Sequence, residues 1–346
     1  MEEHMQNHDG QLEIYGTFGP SCHETEILEK MLEAGMTGIR LNLSHGSLQD
    51  NHEWVENLKK AKEKTGRSCK LLIDLQGRER RLGKFEAFEA KMGDHVLVGE
   101  QIPVGGDVLV CLEPGDMIRI GDHNIPLRIL EREGLSWKAE VLGDGLFEPG
   151  KSLHIQNKDS SLPILYAKDI ENLKIATQMG VTGVMVPFVQ NAQDLKVIRS
   201  IIQEYAPEST VMAKIENIEG VRNLESILPL ADEIVIARGD LAASCTLEWM
   251  PAVQNYIEAK CHQNGKPYMV VTQMLDSMEH HPTPTRAEVT DIYNAVMNGA
   301  HSIMLTGETA HSLYPLEAME YFCKIAHNAL QLKTDPQSFL EVFKTL

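Results

Sequence analysis

Short apolar runs alternate with amphipathic stretches along most of the chain. LEIYGTF (12–18) reads as a strand, and GPSCHETEILEKMLEAGM (19–36) as a helix whose apolar stripe is Ile27, Leu28, Met31 and Leu32. Ser21 and Glu24 have the spacing of a capping box at its start. TGIRLNL (37–43) is a second strand, EWVENLKKAKEKTG (53–66) its helix, and KLLIDLQG (70–77) a third strand. From Lys84 to Asn157 the rhythm breaks. Gly, Pro and Asp punctuate β-rich runs such as DMIRIGDHNIPLRIL (116–130) and SWKAEVL (136–142), and no comparable helix is predicted there.

The alternation then returns as KDIENLKIATQMG (helix) and VTGVMVPF (strand), NAQDLKVIRSIIQEYA and TVMAKIE, then NLESILPLA and EIVIA. It continues with MPAVQNYIEAKCHQNG and PYMVVTQM, RAEVTDIYNAVMNGA and HSIMLTG, and a closing helix PLEAMEYFCKIAHNAL. Three strands before the break and five after it make the eight of a (β/α)8 TIM barrel, an α/β fold. The expected organisation is a barrel of residues 1–83 and 158–346, with a small all-β lid domain, 84–157, inserted after strand 3. An open doubly wound sheet fits less well, because no G-x-G-x-x-G follows the first strand.

A barrel works at the C-terminal ends of its strands, and polar residues collect there. Arg40, Asn42, Ser44 and His45 follow strand two; Asp74 and then Arg81 follow strand three. Lys214 and Glu216 stand two positions apart in strand five, and Arg238, Gly239 and Asp240 follow strand six. Thr272 and Gln273 end strand seven; Thr306, Gly307 and Glu308 end strand eight. An inward Lys with two carboxylates at adjacent strand ends suits a divalent metal and a phosphate held together. The competing reading is structural, with Arg40–Asp74 as an ion pair at the rim and Lys214–Glu216 filling a layer. His45, one of 14 histidines, is by itself incidental, and Glu288 and Asp291 read as a solvated helix face. The cluster as a whole resists that account, since burying so many charges without a ligand is costly.

Charge narrows the partners. With 32 basic and 50 acidic residues the formal net charge is −18, which argues against a nucleic-acid or anionic-membrane binder. An anionic ligand would need clustered Arg and Lys or a bound cation. The six cysteines form no C-x-x-C pair, which fits free thiols in a reducing cytosol. The polar, acidic start carries no signal-peptide pattern, and no apolar run is long enough to span a bilayer. A cytoplasmic protein is expected.

RLNLSHG, LLIDLQGRERRLG, AKIENIEGV, ARGDLA, TQMLDSM, PTPTRAEVTDIYNAVMNGA and IMLTGETAHSLYPLEAM closely resemble the motifs of the pyruvate kinase family, in that family's order. In the insertion, DMIRIGDHNIPLRIL and GLFEPGKSLHI look like a shortened form of its β-rich lid. The family's C-terminal regulatory domain has no counterpart in this sequence, so the resemblance implies no sugar-phosphate control and an assembly smaller than a tetramer, with a homodimer expected. It also implies that Glu216 and Asp240 hold Mg2+ or Mn2+, and that Lys214 stabilises the phosphoryl group in transfer. Arg40 would bind the phosphate of phosphoenolpyruvate, while the Gly239 and Asp240 amides and the Thr272 hydroxyl hold the carboxylate of pyruvate. Asn42, Ser44, Asp74 and the Leu75 carbonyl match potassium-site positions. His45, Arg81 and the lid's Lys151 would face the nucleotide. The implied activity is phosphoryl transfer between phosphoenolpyruvate and ADP or another acceptor, as in glycolysis. A magnesium-dependent lyase or hydrolase acting on a pyruvate-like enolate, and a non-catalytic paralogue binding phosphoenolpyruvate or pyruvate, remain alternatives.

The departures from the family are concentrated in two places. Where Asp-Thr-Lys-Gly-Pro-Glu-Ile-Arg is usual, this chain has Asp74-Leu75-Gln76-Gly77-Arg78-Glu79-Arg80-Arg81. Beyond ARGDL, the usual Gly-x-Glu is Ala242-Ala243-Ser244. Arg78 and Arg80 would add charge for a different anionic acceptor, or form a solvated rim.

Overall fold

The computed structural model describes residues 12–121, 125–156 and 163–335. Eight parallel strands close into a barrel: β1 (Glu13–Thr17), β2 (Gly38–Asn42) and β3 (Lys70–Asp74) come before the insertion. The insertion contributes β4 (Phe88–Ala90), β5 (His95–Val98), β6 (Met117–Ile120), β7 (Ile125–Glu133), β8 (Ser136–Val141), β9 (Gly145–Phe147) and β10 (Leu153–Ile155). The barrel resumes with β11 (Gly183–Val186), β12 (Thr210–Ile215), β13 (Glu233–Ala237), β14 (Tyr268–Val271) and β15 (Ser302–Met304). Around the barrel the order is β1, β2, β3, β11, β12, β13, β14, β15 and back to β1, as expected of the (β/α)8 fold.

Alternation along each strand makes two cores. Tyr15, Leu72, Met185, Met212, Val235, Met269 and Met304 fill the barrel interior. The four methionines among them are unbranched and adapt to a tapering space. A larger apolar layer lies between the strands and the outer helices. The same period carries chemistry upward, because Lys214 stands two residues past Met212, and Asp74 two past Leu72, on the inward face.

The insertion is a β-rich lid with its own core. Strands β10, β6, β7, β8 and β5 form one antiparallel sheet, and β4 pairs with β9 in a second. Two local expectations need correction. The lid contains a short helix, Gly106–Cys111. The first helix runs over Thr25–Ala34, with Glu24 as its N-cap and no side-chain capping bond, so the Ser21–Glu24 capping box does not form. Ser21 lies too far upstream, and its amide instead donates to the Ala310 carbonyl (3.1 Å). The expected domain boundary at 157/158 lies outside the described residues.

The bottom of the barrel is acidic. Glu13 takes the Tyr15 hydroxyl and the Lys70 ammonium, while Glu233, 8% exposed, accepts from the Ser302 hydroxyl at 2.5 Å. Burial first, then the nearby Glu13 charge, pushes the Glu233 carboxyl up to about 7. A carboxyl raised from its ordinary 4.5 binds more protons in the folded state between those values, so its stabilisation is complete below pH 4.5 and lost as pH rises toward 7. Glu233→Gln should therefore flatten that part of the stability–pH curve, and should raise stability at pH 8 by up to about 3 kcal/mol. Urea unfolding at pH 5 and pH 8 tests this, and an equal effect of the substitution at both values would refute it.

Candidate active site

Four charged side chains from three strands meet at the C-terminal mouth of the barrel. Arg40 of β2 donates to Asp74 Oδ2 of β3 through both Nε (2.9 Å) and Nη2 (2.7 Å). Lys214 of β12 donates to the same oxygen at 2.9 Å, and its Nζ lies 2.8 Å from Glu216 Oε1 just beyond the strand. Glu216 Oε2 accepts the Phe188 amide at 2.7 Å. Asp74 is 2% exposed and Glu216 1%, so these contacts sit in a low-dielectric setting. The structural pairings expected of Arg40–Asp74 and Lys214–Glu216 therefore both form, but as one network rather than as two separate pairs.

Its electrostatics follow from crowding. Burial alone would lower the Lys214 pKa, but the Asp74 and Glu216 carboxylates outweigh it and keep the ammonium charged. Burial, together with the Asp240 and Asp74 charges, raises the Glu216 carboxyl. Asp240 moves the other way. Burial opposes its charge, yet His154 and Lys214 hold it below the ordinary carboxylate range. One buried carboxylate oxygen, Asp74 Oδ1, has no hydrogen-bond partner among the described residues, and Glu216 Oε1 meets only the Lys214 ammonium.

Loops in strained conformations place the rest. Phe188, Thr272 and Gln273 adopt positive φ angles of 50°, 78° and 53°, all just past the ends of barrel strands. Arg238 fixes the last two: its Nη2 donates to the Thr272 carbonyl (2.8 Å), while its Nη1 is held by Asp291 (2.7 Å). Gly239 leaves room for Thr272, because a Cβ there would lie 2.9 Å from Thr272 Cγ2 and displace that side chain. Its amide thereby stays beside the Thr272 side chain, at the N-terminus of the helix Arg238–Ser244. Gly77, with φ 53° and Pro187 Cγ 2.6 Å from any Cβ, turns the loop after β3. Asp169, fully buried, accepts the Gln76 and Gly77 amides there (2.9 and 3.3 Å).

A second, cationic group lies on one side of the mouth. His45 is pushed down to about 4, first by burial and then by Arg81, Arg40, His311 and Lys151. Glu79 joins Arg81 (2.9 Å) to the Ser44 hydroxyl (3.0 Å), and Arg81 Nη1 also donates to the Gly150 carbonyl (2.7 Å). Lys151 Nζ lies 3.7 Å from Glu148. Asn42 Oδ1 accepts the Ser44 amide (3.1 Å), and Asn42 is the register partner of Asp74, with Leu75 buried next in line. The thirteen residues singled out from the sequence thus fall into three neighbouring groups: the Arg40–Asp74–Lys214–Glu216 network with Asn42, Ser44 and Leu75, the Gly239–Asp240–Thr272 corner, and the His45–Arg81–Lys151 side.

The structure revises several expectations. Glu288 and Asp291 are not a solvated face: Glu288 caps its helix with Thr285 and accepts from Ser277, and Asp291 holds Arg238. Nor do Arg78 and Arg80 form a solvated rim. Arg78 donates to Gln190 (2.6 Å) and Asp194 (2.7 Å) from a nearly closed environment, and the Arg80 side chain is 9% exposed beside Asp107. Glu308 serves the loops, accepting the Leu275 and Thr306 amides. Sequence reasoning missed His154 of β10, which places the lid directly on the site: its Nε2 lies 3.0 Å from Asp240 Oδ1. Its one signal was position, in the short alternating run LHI that closes the insertion.

Comparison with known proteins agrees with this geometry. Residues 10–319 match the family description "Pyruvate kinase, barrel domain". The chain is 34% identical to the pyruvate kinase of Aeropyrum pernix over 333 residues, covering 94% of this chain and 73% of that protein. It is also 34% identical to the pyruvate kinase of Dictyostelium discoideum, covering 96% and 69% respectively. For the pyruvate kinase of Geobacillus stearothermophilus the identity is again 34%, over 90% of this chain and 56% of the relative.

The shared carboxylate sets a stability test. Asp74→Ala leaves two buried cations without their common partner, and should lower the unfolding free energy by about 3–5 kcal/mol. Replacing Arg40 and Lys214 by Met and Glu216 by Gln as well, so that no charge of the network is left unpaired, should recover most of that loss. Denaturant unfolding measures both, and a loss under about 1 kcal/mol for Asp74→Ala would show that water replaces the carboxylate without penalty.

Proposed function

This chain belongs to the pyruvate kinase family, and we propose that it transfers a phosphoryl group between phosphoenolpyruvate and ADP or another acceptor, with Mg2+ or Mn2+ and K+. The observation that carries this reading is Lys214, charged and fixed between Asp74 and Glu216 at the barrel mouth, with Asp240 beside them.

The residues fit the cations. Among the described residues no cluster of three or more His, Cys, Asp or Glu able to hold a metal occurs; Glu216 and Asp240 would supply two carboxylate ligands, with substrate oxygens and water as the others. Hard carboxylate oxygens suit magnesium, which keeps waters and shares substrate phosphates. Glu216 Oε1, engaged only by the Lys214 ammonium, keeps lone pairs for a cation, and the buried, unpartnered Asp74 Oδ1, on the register partner of Asn42, leaves an acceptor for potassium. When bound, the divalent ion would neutralise charge building on the transferring oxygens.

The chain's own groups do the positioning. Arg40 would bind the phosphate of phosphoenolpyruvate, and Lys214 would stabilise the phosphoryl group as it moves, being permanently charged and already directed to the mouth. The Gly239 and Asp240 amides and the Thr272 hydroxyl would hold the carboxylate. Fixing them on strained loops tied by Arg238 lowers the reorganisation needed at reaction. His45, kept neutral by burial and then by its cationic neighbours, and Arg81 and Lys151 would face the phosphates of a nucleotide. His154 occupies Asp240 in the present arrangement, so metal entry would require the lid to release that carboxylate. Six free cysteines support a cytoplasmic setting, and we propose a homodimer.

The acceptor side is where this chain departs from its family. Gln76 stands in place of a Lys, and one preorganised cation is often worth a few kcal/mol of transition-state stabilisation. Purified protein with phosphoenolpyruvate, Mg2+, K+ and a panel of nucleotides, followed by pyruvate release, tests the activity. Slow turnover with ADP is expected, and Gln76→Lys should raise it. Fast wild-type turnover with ADP, not improved by that change, would show the departures to be neutral. Metal binding is tested separately. Since outer partners of metal ligands alone are worth about 10–100-fold, Glu216→Gln and Asp240→Asn should each weaken Mn2+ binding by more than about tenfold. Unchanged affinity in both variants by calorimetry would remove the assignment.

A further inference from the structure

The two stretches that depart from the family come together in space. Arg78 and Arg80 of the loop after β3, and Ala243 and Ser244 after β13, line one cavity of about 280 Å³ between lid and barrel. That volume holds about nine waters at ~30 Å³ each, or a small organic molecule. None of Arg40, His45, Arg81 and Lys151 lines it, so it is distinct from the cationic side described above. Glu216 does line it, so an occupant would touch the metal-site carboxylate.

The charged lining is Arg78, Arg80, Arg222 and His154 against Glu216 and Glu219. Each of these cations already faces a carboxylate, Asp194, Asp107, Glu219 and Asp240 in turn, so the cavity offers an anion unused donors rather than net positive charge. The donors are incompletely used. Arg78 has both Nη atoms engaged, but its Nε is buried without a partner. Arg80, its side chain 9% exposed, donates from Nε to Asp107 at 3.3 Å, and its two terminal nitrogens donate to no protein group among the described residues. An enclosed guanidinium with unmade hydrogen bonds is costly unless something accepts them. Its planar fork matches a carboxylate or a phosphate.

We propose that this cavity is a binding site for a small organic anion bearing a carboxylate or a phosphate, seated on Arg80 and abutting Glu216. Because both ligands meet Glu216, anion binding and divalent-metal binding are thermodynamically coupled, and each must change the other's affinity by the same factor. The site stands on the cavity and its arginines, independently of the identity of the phosphate donor.

Calorimetric titration in metal-free, low-salt buffer tests it, with inorganic phosphate and malonate as separate probes of the two anion classes. At least one probe is expected to bind the wild type, with a step that Arg80→Met weakens at least tenfold and Arg81→Met leaves in place. Soaked crystals should show that probe within hydrogen-bond distance of Arg80. If Arg80→Met does not fold, Arg222→Met, whose side chain is 70% exposed, serves with a smaller expected loss. Neither probe binding, identical titrations of wild type and the cavity variant, or loss confined to Arg81→Met would overturn the proposal. Phosphoenolpyruvate with Mn2+ is titrated in parallel. Its failure to bind, with the Arg80-dependent step intact, would count against the proposed activity and leave this site standing.

Discussion

One carboxylate oxygen organises the mouth of this barrel. Asp74 Oδ2 accepts from Arg40 twice and from Lys214 once, while Oδ1 of the same group is buried and unpartnered. Two buried cations and one carboxylate leave an excess positive charge, which Glu216 offsets through Lys214. Each member is tolerable in a low-dielectric interior only because the others are there. The network therefore specifies the relative placement of β2, β3 and β12 at their functional ends, where apolar packing of methionines below would allow slippage.

Much of this was legible because barrels tie chemistry to strand ends. Once eight strands are counted, period-2 alternation aims Lys214, Asp74 and Arg40 inward, and the strand order brings them together without knowledge of any contact. Charged residues inside otherwise apolar runs were the signal. What escaped were groups whose partners lie far away in sequence and whose local context is ordinary. His154 reaches Asp240 across 86 positions, and Asp291 fixes Arg238 from a helix that reads as solvated. Arg78 and Arg80 were visible as departures, but their burial was not. A guanidinium in a loop looks solvated until the helix starting at Ala192 supplies Asp194, and the lid supplies Asp107, as its partners.

The lid shows why those long-range pairs matter. Its apolar core is a cluster of its own, and beside the His154–Phe188 ring contact polar contacts tie it to the barrel: Arg81 pairs with Ser152 in a β-bridge, Arg81 donates to the Gly150 carbonyl, and His154 meets Asp240. Contacts of this kind are individually weak where water can reach them and are easily exchanged.

The same arrangement divides the cleft by charge. On one side stand Arg81 and Lys151, paired with Glu79 and Glu148, beside a neutral His45; on the other stand Arg78, Arg80 and Arg222; between them are the carboxylates of Glu216 and Asp240. An acidic protein repels anions at a distance, so recognition must be local and must operate where solvent screening is least. Enclosing Arg78 and Arg80 achieves that for two of the arginines, while Arg222 stays exposed. The carboxylates in the middle then keep the two sides from repelling each other across a narrow, poorly solvated gap, and a cation drawn to those carboxylates would strengthen the pull of both sides on an anion. In an acidic chain, arginines held against carboxylates in this way offer an anion local hydrogen-bond donors without a cationic surface.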